Sequence, residues 1–288
     1  MKVGIVGAGA WGTGLAHVIA RGGADVTLWS FDGEYAHFDG VKLPKKVKLS
    51  TDMNDLRDCE AWIAVTPAAF FRETFARAGQ FYNNQPIIIC TKGAEPGTGK
   101  FMTEVLHETI KPKESNVGVL SGPQFAGEVA RGVPTGSTLA CGKSIKNIGL
   151  QIFNKMYIYL TRDIIGTEIC GVGKNAVSVI AGYIKVKGHG ENESALYMTN
   201  AWREVIEIGL TMGAKLETFS DLCGLGDLLL TATSQTSRNF SAGISIANGE
   251  RPVGTVEGLS ALDALVMRAK KQKIYTPLLS NMHRKLSK

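Results

Sequence analysis

Lys174 is a candidate acid–base group because of its place in the sequence. It stands in the run G-V-G-K-N at 171–175, which is predicted to open a long apolar helix. A positive charge in the first turn opposes the helix dipole, so a purely structural lysine would favour the other end. A partly buried lysine in a cleft has a lowered pKa and can exchange a proton with a substrate oxygen near neutral pH. A solvated lysine is the alternative.

Asp227 and the residues that follow it form a second group of candidates. Asp227 lies among apolar residues in the run G-L-G-D-L-L-L-T-A-T-S at 224–234. Because an unpaired buried carboxylate is costly, we expect it to face a cation such as Lys174 or a polar ligand; a helix N-cap is the alternative. Arg238 and Asn239 follow a Ser/Thr-rich turn. Their guanidinium and amide suit a phosphate, although an exposed loop arginine is common.

The pattern G-x-G-x-x-G at Gly7, Gly9 and Gly12 predicts a dinucleotide site. The apolar run at 3–6 is predicted to be a buried parallel strand, and residues 13–21 are predicted to be a helix. In that setting Gly7 makes the tight turn, Gly9 lets a pyrophosphate approach the backbone, and Gly12 lets helix and strand pack closely. The helix N-terminus would face the phosphates. A plain glycine-rich turn is the alternative.

Three more polar turns are predicted at the carboxyl ends of strands, where ligands bind in α/β sheets. They are T-P at 66–67, T-K-G at 91–93 and S-G-P-Q-F-A at 121–126. Lys92, in the second of them, would lie at the rim where a nicotinamide and its substrate meet. Each turn alone could be ordinary loop chemistry, but together they favour a site at this edge.

The order of predicted elements indicates an α/β fold with a doubly wound, Rossmann-type sheet followed by an all-α domain. Further strands are predicted at 24–29, 61–65, 86–91 and 116–121, with shorter candidates at 138–141 and 156–161. Helices are predicted at 68–77 and 101–109 between them, and at 174–184, 195–212 and 258–273 after the strands end. We predict a dinucleotide-binding domain at 1–163, a helical substrate-binding domain at 164–288, and an active site in the cleft between them.

Composition narrows the class of protein. The chain has 288 residues, of which 44% are hydrophobic and 20% charged, as in globular proteins. Lysine and arginine exceed aspartate and glutamate by 32 − 26 = 6, a surplus that attracts anions such as dinucleotides and phosphorylated metabolites. No basic run is interleaved with aromatic residues, which argues against nucleic-acid partners.

The cysteines and the apolar runs indicate a compartment. Five scattered cysteines without a C-x-x-C motif fit reduced thiols and argue against a disulfide framework or a zinc site; no other metal site is predicted. No apolar run approaches the ~18–20 residues of a transmembrane helix, and no signal peptide is expected before the first strand. We therefore expect a cytoplasmic protein without a membrane span.

Taken together, these motifs resemble the bacterial-type glycerol-3-phosphate dehydrogenase family, which uses NAD or NADP. The resemblance covers nearly the whole chain in order. The matching runs are G-A-G-A-W-G-T-G-L-A at 7–16, T-K-G at 91–93, S-G-P-Q-F-A-G-E at 121–128, G-V-G-K-N-A-V-S-V-I-A-G at 171–182, G-L-G-D-L-L-L-T-A-T-S at 224–234, S-R-N at 237–239 and V-E-G at 256–258.

The resemblance implies a role for each matching position. Lys174 would be the general acid–base at the substrate C2 oxygen. The implied catalytic residues are Lys174, Lys92, Asp227 and Thr231. The implied substrate contacts are Lys92, Gly122, Gln124, Lys174, Asp227, Ser237, Arg238 and Asn239. The implied cofactor contacts are Gly7, Gly9, Ala10, Trp11, Gly12, Ser30, Phe31, Pro67, Lys92, Ala126, Arg238, Val256 and Glu257.

The chain also departs from the family pattern. Gln124 stands where the family commonly has Ser or Thr, and Asn200 stands where family members often carry an Arg. Ser30 and Phe31 replace the basic residue that often meets the 2′-phosphate of NADP. Asp32, about 20 residues past the last glycine of the motif, can bond a ribose hydroxyl and so favours NAD.

The resemblance therefore implies reversible hydride transfer between NAD(P)H and dihydroxyacetone phosphate, giving sn-glycerol 3-phosphate for phospholipid synthesis. It also implies a homodimer. Two other functions stay open: a reductase of similar architecture acting on a β-hydroxyacid or 2-keto acid, and a sensor that binds NAD without chemistry. A panel of substrates separates the first from the family reaction, and binding without turnover would identify the second.

Overall fold

The computed structural model describes residues 1–188 and 190–286. The chain folds into two compact units. The first consists of Met1–Thr91, Met102–Leu120 and Gln124–Ile164. The second consists of Lys92–Phe101, Ser121–Pro123 and Ile165–Lys288, so two short segments from the first half of the chain join the helical half.

The sheet of the first unit confirms the predicted Rossmann-type class. Its strands are β1 Lys2–Val6, β2 Asp25–Trp29, β3 Val47–Ser50, β4 Ala61–Ala64, β5 Ile87–Ile89, β6 Val117–Ser121, β7 Gly136–Cys141 and β8 Tyr157–Thr161. They are ordered β3-β2-β1-β4-β5-β6-β7-β8. The pairs from β3 through β6 are parallel, and so is the pair β7–β8.

Both faces of this sheet are covered, as its sequence pattern requires. Alternate residues of a strand point to opposite faces. In β4, Ile63 packs in one hydrophobic cluster with Leu15 and Ile19, whereas Trp62 packs in a separate cluster with Phe71. The helices of this unit are α1 Ala10–Arg21, α2 Ala68–Ala78, α3 Met102–Thr109, α4 Ala126–Arg131 and α5 Lys143–Ile152.

One strand escaped prediction. β3 has the sequence V-K-L-S, and only Ser50 within it is buried. It lies at the edge of the sheet, where a strand packs on few neighbours and needs no hydrophobic run. The sequence signal for a buried strand is therefore missing at this position.

The second unit is helical. Its helices are α6 Ile164–Lys187, α7 Glu191–Thr211, α8 Asp227–Ala232, α9 Arg238–Ala247, α10 Glu257–Gln272 and α11 Pro277–Leu286. α6 is the central one, since nearly all of its residues from Gly166 to Gly182 are buried. It is long and apolar enough to cross a membrane, but 89% of its most apolar window is buried inside the protein, as in the core helix of a globular protein.

The extent of α6 corrects one prediction. The sequence places Lys174 in the first turn of a helix, but α6 begins at Ile164, so Lys174 lies in the helix interior. The argument from the helix dipole is therefore wrong for this residue. Its unusual feature is burial, since only 6% of its surface is exposed.

α6 and α9 cross with their backbones in contact. A Cβ on Gly182 of α6 would lie 1.9 Å from the carbonyl oxygen of Phe240, and one on Gly243 of α9 would lie 2.1 Å from that of Val179. No side chain fits at either position, because non-bonded carbon and oxygen atoms do not approach so closely. The start of α9 also reaches the residue beside Lys174, since Asn239 bonds to Asn175 of α6.

We predict that Gly182→Ala and Gly243→Ala each destabilise the protein by roughly 1–3 kcal/mol or more, because a methyl group forces the two helices apart. The thermal unfolding midpoint, measured by calorimetry without ligands, should fall in both variants. Gly127→Ala in α4 is the matched control, since the atom nearest to its added methyl would be 3.5 Å away, and alanine suits a helix better than glycine. An unchanged midpoint in the two crossing variants would contradict the contact.

Candidate active site

Three charged side chains meet inside the second unit. Oδ2 of Asp227 lies 2.7 Å from Nζ of Lys92, and Oδ1 lies 3.3 Å from Nζ of Lys174. The Asp227 side chain is wholly buried, and the two lysine side chains are 14% and 8% exposed. The sequence expectation that Asp227 faces a cation is met twice. The two ammonium groups thus share one carboxylate, and this group of three side chains has a surplus of positive charge.

The local structure fixes each member of this cluster. Asp227 is the first residue of α8 and follows a π-helical turn at Leu222–Gly226, a type of turn found frequently at functional sites. Its backbone carbonyl accepts a hydrogen bond of 2.6 Å from the Thr231 hydroxyl. Lys92 donates from Nζ to the Gly122 carbonyl at 2.7 Å, which ties it to the turn at 121–123.

The environment of Lys174 lowers its pKa to about 8. Burial is the largest cause, because it disfavours the charged form, and the Lys92 ammonium acts in the same direction. The Asp227 carboxylate opposes the shift, with a smaller contribution from Glu257. Oδ1 of Asp227 lies at ion-pair distance but accepts no directed hydrogen bond within the described residues. Lys174 can therefore exist in either protonation state near physiological pH.

A chain of side-chain amides supports the cluster. Its central residue is Asn175, which the sequence analysis did not predict as a site residue. Asn175 donates from Nδ2 to the backbone carbonyl of Lys92 at 2.8 Å. Its Oδ1 accepts from Nδ2 of Asn239 at 2.8 Å, and Oδ1 of Asn239 accepts from the backbone N–H of Gly258 at 3.0 Å. The chain links α6, α9 and α10 to Lys92. The sequence signal that could have identified Asn175 was its place beside Lys174 in the motif at 171–182.

The residues predicted to hold a phosphate lie at the start of α9. Ser237 is the N-cap of this helix, and its Oγ accepts a bond from the Phe240 N–H at 3.4 Å. Arg238 is the first residue of the helix and is exposed. Asn239 is half-buried and belongs to the amide chain. Among the described residues, no salt bridge is seen for Arg238, so its guanidinium is available to an anion.

Val256 and Glu257, also predicted as cofactor contacts, are the N-cap and the first residue of α10. The next residue, Gly258, packs directly on α6: a Cβ there would lie 2.5 Å from the carbonyl oxygen of Asn175. The start of α10 is thereby fixed next to the lysine cluster.

In the first unit, the glycine motif has the geometry that a pyrophosphate requires. Gly7 has φ +118°, and a Cβ on Gly12 would lie 1.9 Å from the Gly7 carbonyl oxygen. A Cβ on Gly9, by contrast, would meet nothing within 4 Å. Gly9 is the N-cap of α1 without a side-chain cap, and the first turn, from Ala10, carries no acidic residue. These backbone N–H groups are suited to an anion.

Trp11 adds a second indication in the same turn. Its indole Nε1 is buried, and it has no hydrogen-bond partner within the described residues. Since buried donors are normally satisfied, this orphaned group fits a site that a ligand completes. Of the other predicted cofactor contacts in this unit, Pro67 is the N-cap of α2, and Ala126 is the first residue of α4. The residues present therefore fit a dinucleotide.

The turn after β2 is held by its own polar groups. Oδ1 of Asp32 accepts from the Ser30 hydroxyl at 2.8 Å and from the Glu34 N–H at 3.1 Å. The Glu34 bond, followed by that from Ser30, lowers the pKa of Asp32. Phe31, between them, is 75% exposed.

Gln124, predicted as a substrate contact, is directed toward the sheet of the first unit. Its Nε2 contacts Oγ of Ser137 in β7, and its Oε1 is buried without a hydrogen-bond partner among the described residues. The larger side chain in the position of Ser or Thr therefore has an internal contact of its own.

Comparisons with known proteins cover almost the whole chain. Residues 2–146 match the family model of the NAD-dependent glycerol-3-phosphate dehydrogenase N-terminus, and residues 163–288 match that of its C-terminus. A curated glycerol-3-phosphate dehydrogenase [NAD(P)+] of Caulobacter vibrioides is 36% identical, with 96% of this chain and 90% of that protein covered. One of Afipia carboxidovorans is 37% identical, with 96% and 89% covered.

A solved structure supports the same relationship. The crystal structure of glycerol-3-phosphate dehydrogenase from Coxiella burnetii superposes with a TM-score of 0.90 at 29% identity. The superposition covers 99% of this chain and 94% of that one.

The charges around Lys174 predict opposite effects of two substitutions. Asp227→Asn removes the negative charge that raises the Lys174 pKa, so the pKa should fall below its value of about 8. Lys92→Met removes a positive charge that lowers it, so the pKa should rise. NMR titration of lysines labelled with ¹³C at Cε, assigned with a Lys174→Ala variant, measures both shifts. Lys185→Met, on the exposed part of the same helix, is the control; shifts of the same sign in the two test variants would refute the electrostatic account.

Proposed function

This chain belongs to the NAD-dependent glycerol-3-phosphate dehydrogenase family, and we propose that it interconverts dihydroxyacetone phosphate and sn-glycerol 3-phosphate with NAD or NADP. The observation that carries the proposal is the buried cluster of Lys92, Asp227 and Lys174, in which a lysine has a pKa of about 8. Such a group can give a proton to an alkoxide or take one from an alcohol near neutral pH. When bound, the reduced nicotinamide supplies a hydride to C2 of the ketone.

Lys174 is the proposed proton donor for ketone reduction. As hydride adds to C2, negative charge develops on the C2 oxygen, and the ammonium form of Lys174 stabilises that charge and then transfers its proton. The lysine is left as a neutral amine, which burial favours, and it regains a proton from solvent before the next turnover. In the oxidative direction the neutral amine accepts the alcohol proton, so both directions use the same group.

Asp227 and Lys92 are proposed to hold Lys174 in position and to adjust its pKa. The carboxylate holds the two ammonium groups within one site and keeps the pKa of Lys174 from falling further. Lys92, tied to Gly122, is proposed to contact both substrate and cofactor. Thr231 is proposed to steady the first turn of α8 through its bond to the Asp227 carbonyl.

The phosphate of the substrate is proposed to bind at the start of α9. Arg238 supplies an exposed guanidinium, Asn239 one remaining amide hydrogen, and Ser237 the helix cap that fixes their backbone. A planar guanidinium matches phosphate oxygens two at a time. Binding energy at the phosphate, remote from C2, orients the reacting carbon. This requirement for a phosphate distinguishes the proposed reaction from that of a 2-keto acid reductase.

The cofactor is proposed to bind residues 1–163 as the dinucleotide domain, with 164–288 as the substrate domain. Its pyrophosphate would lie over Gly9, Ala10 and Trp11. There the space beside Gly9 is open, and no side chain caps the first N–H groups of α1. At the adenosine end, the second carboxylate oxygen of Asp32 is proposed to accept the ribose 2′-hydroxyl of NAD. We further propose a cytoplasmic homodimer whose product serves phospholipid synthesis, as the family resemblance implies.

Lys174→Ala should abolish turnover while leaving cofactor binding intact, because the lysine acts on the proton and not on the dinucleotide. The assay is loss of reduced-nicotinamide absorbance with dihydroxyacetone phosphate, alongside a fluorescence titration with NADH. Lys185→Ala on the same helix should behave like the unmodified protein. Substantial residual kcat in Lys174→Ala would exclude this role.

Arg238→Ala should mainly raise KM for dihydroxyacetone phosphate, because a charged hydrogen bond to the phosphate is worth about 1.5–3 kcal/mol. Steady-state kinetics at saturating cofactor measure the change. Arg251→Ala, an exposed arginine beyond the end of α9, is the control. An unchanged KM in Arg238→Ala would place the phosphate elsewhere.

A further inference from the structure

A cation lies at the turn after β2, although the sequence of that turn contains none. Cζ of Arg77, in the last turn of α2, lies 5.7 Å from the centre of the Phe31 ring. Phe31 directly follows Ser30, and its side chain is 75% exposed. The two residues are far apart in sequence, and their contact became visible only in the folded chain.

Arg77 is the kind of arginine that can accept a ligand. Its side chain is exposed, and no carboxylate pairs with it among the described residues. Arg72, on the same helix, differs in this respect, because its guanidinium pairs with Glu108 at 2.7 Å. A guanidinium stacked near an aromatic ring still offers its N–H groups at its edge, in the fork that matches a phosphate.

The position of this arginine suggests what it binds. In dinucleotide-binding sheets, the residues after the second strand meet the ribose of the adenosine, where an acidic residue bonds the 2′-hydroxyl of NAD or a nearby arginine accommodates the 2′-phosphate of NADP. Asp32 is the acidic residue here, and one of its oxygens is already held by two donors. A 2′-phosphate next to this carboxylate needs a positive charge close by.

We infer that Arg77 is a specificity-determining residue that binds the 2′-phosphate of NADP, so that the same adenosine site accepts both dinucleotides. Phe31 holds the guanidinium at the site, and Asp32 serves the unphosphorylated ribose. The inference rests on the proposed function, because it takes the dinucleotide site of the first unit as given. It places the residue that binds the 2′-phosphate on α2, whereas the sequence pattern predicts such a residue on the turn after β2.

Binding of cofactor fragments tests this inference without any catalytic step. Isothermal titration calorimetry would compare adenosine 2′,5′-bisphosphate with adenosine 5′-phosphate, which differ only in the 2′-phosphate. In Arg77→Ala the affinity for the bisphosphate should fall about ten- to a hundredfold, and that for the monophosphate should stay within about twofold. Arg77→Lys should keep part of the preference because it keeps the charge, and Arg72→Ala should keep all of it.

The outcomes separate this inference from the proposed function. If Arg77→Ala leaves the ratio of the two affinities unchanged, or weakens both ligands equally, Arg77 does not determine specificity, and the proposed reaction is unaffected. If the unmodified protein binds neither fragment, the adenosine site itself is wrong. Because both fragments lack the nicotinamide, their binding does not depend on turnover. A protein that fails to catalyse the proposed reaction could still bind them.

Discussion

The shared carboxylate of Asp227 is the interaction on which this site depends. It is fully buried and lies between Lys92 and Lys174, so one negative charge faces two positive ones. Removing charges from water is costly, and a single carboxylate compensates that cost for only one ammonium. The surplus positive charge can be relieved when Lys174 loses its proton or when a negative charge develops nearby. Burial is the main cause of the Lys174 pKa of about 8, and the Lys92 ammonium adds to it. A negative charge that develops nearby is what ketone reduction produces.

Glycines let the helices approach closely enough to build this arrangement. Gly171 lies one turn before Lys174, and a Cβ there would stand only 3.3 Å from Oγ of Ser121, closer than an ordinary contact. Gly182, Gly243 and Gly258 let α9 and α10 touch the α6 backbone. The amide chain through Asn175 then joins these helices with hydrogen bonds in a buried region, where each bond is strong and each orphaned group is costly. The lysine cluster is therefore held by backbone packing and not by flexible side chains alone.

Much of this could be predicted from sequence, since the signals were local. The glycine motif lay between a strand and a helix, and Asp227 stood among apolar residues where a bare carboxylate could not remain. The elements and residues that the sequence analysis missed have weak local signals or depend on contacts made only in the folded chain. β3 carries no hydrophobic run because it is an edge strand. The start of α6 was missed because Gly166, Gly171 and Gly173 weaken the helix signal before Lys174. Asn175 and Arg77 were missed because their partners come from distant segments.

The central claim is that Lys174 exchanges its proton with the substrate C2 oxygen. The pH dependence of kcat/KM, which reports the groups of the free enzyme, tests it most directly when it is measured in both directions of the reaction. The charged form of Lys174 is the acid in reduction and the neutral form is the base in oxidation. We therefore expect kcat/KM for reduction of dihydroxyacetone phosphate to fall as pH rises through about 8, and kcat/KM for oxidation of sn-glycerol 3-phosphate to rise over the same range. Profiles that are flat, or that move in the same direction for both reactions, would contradict it.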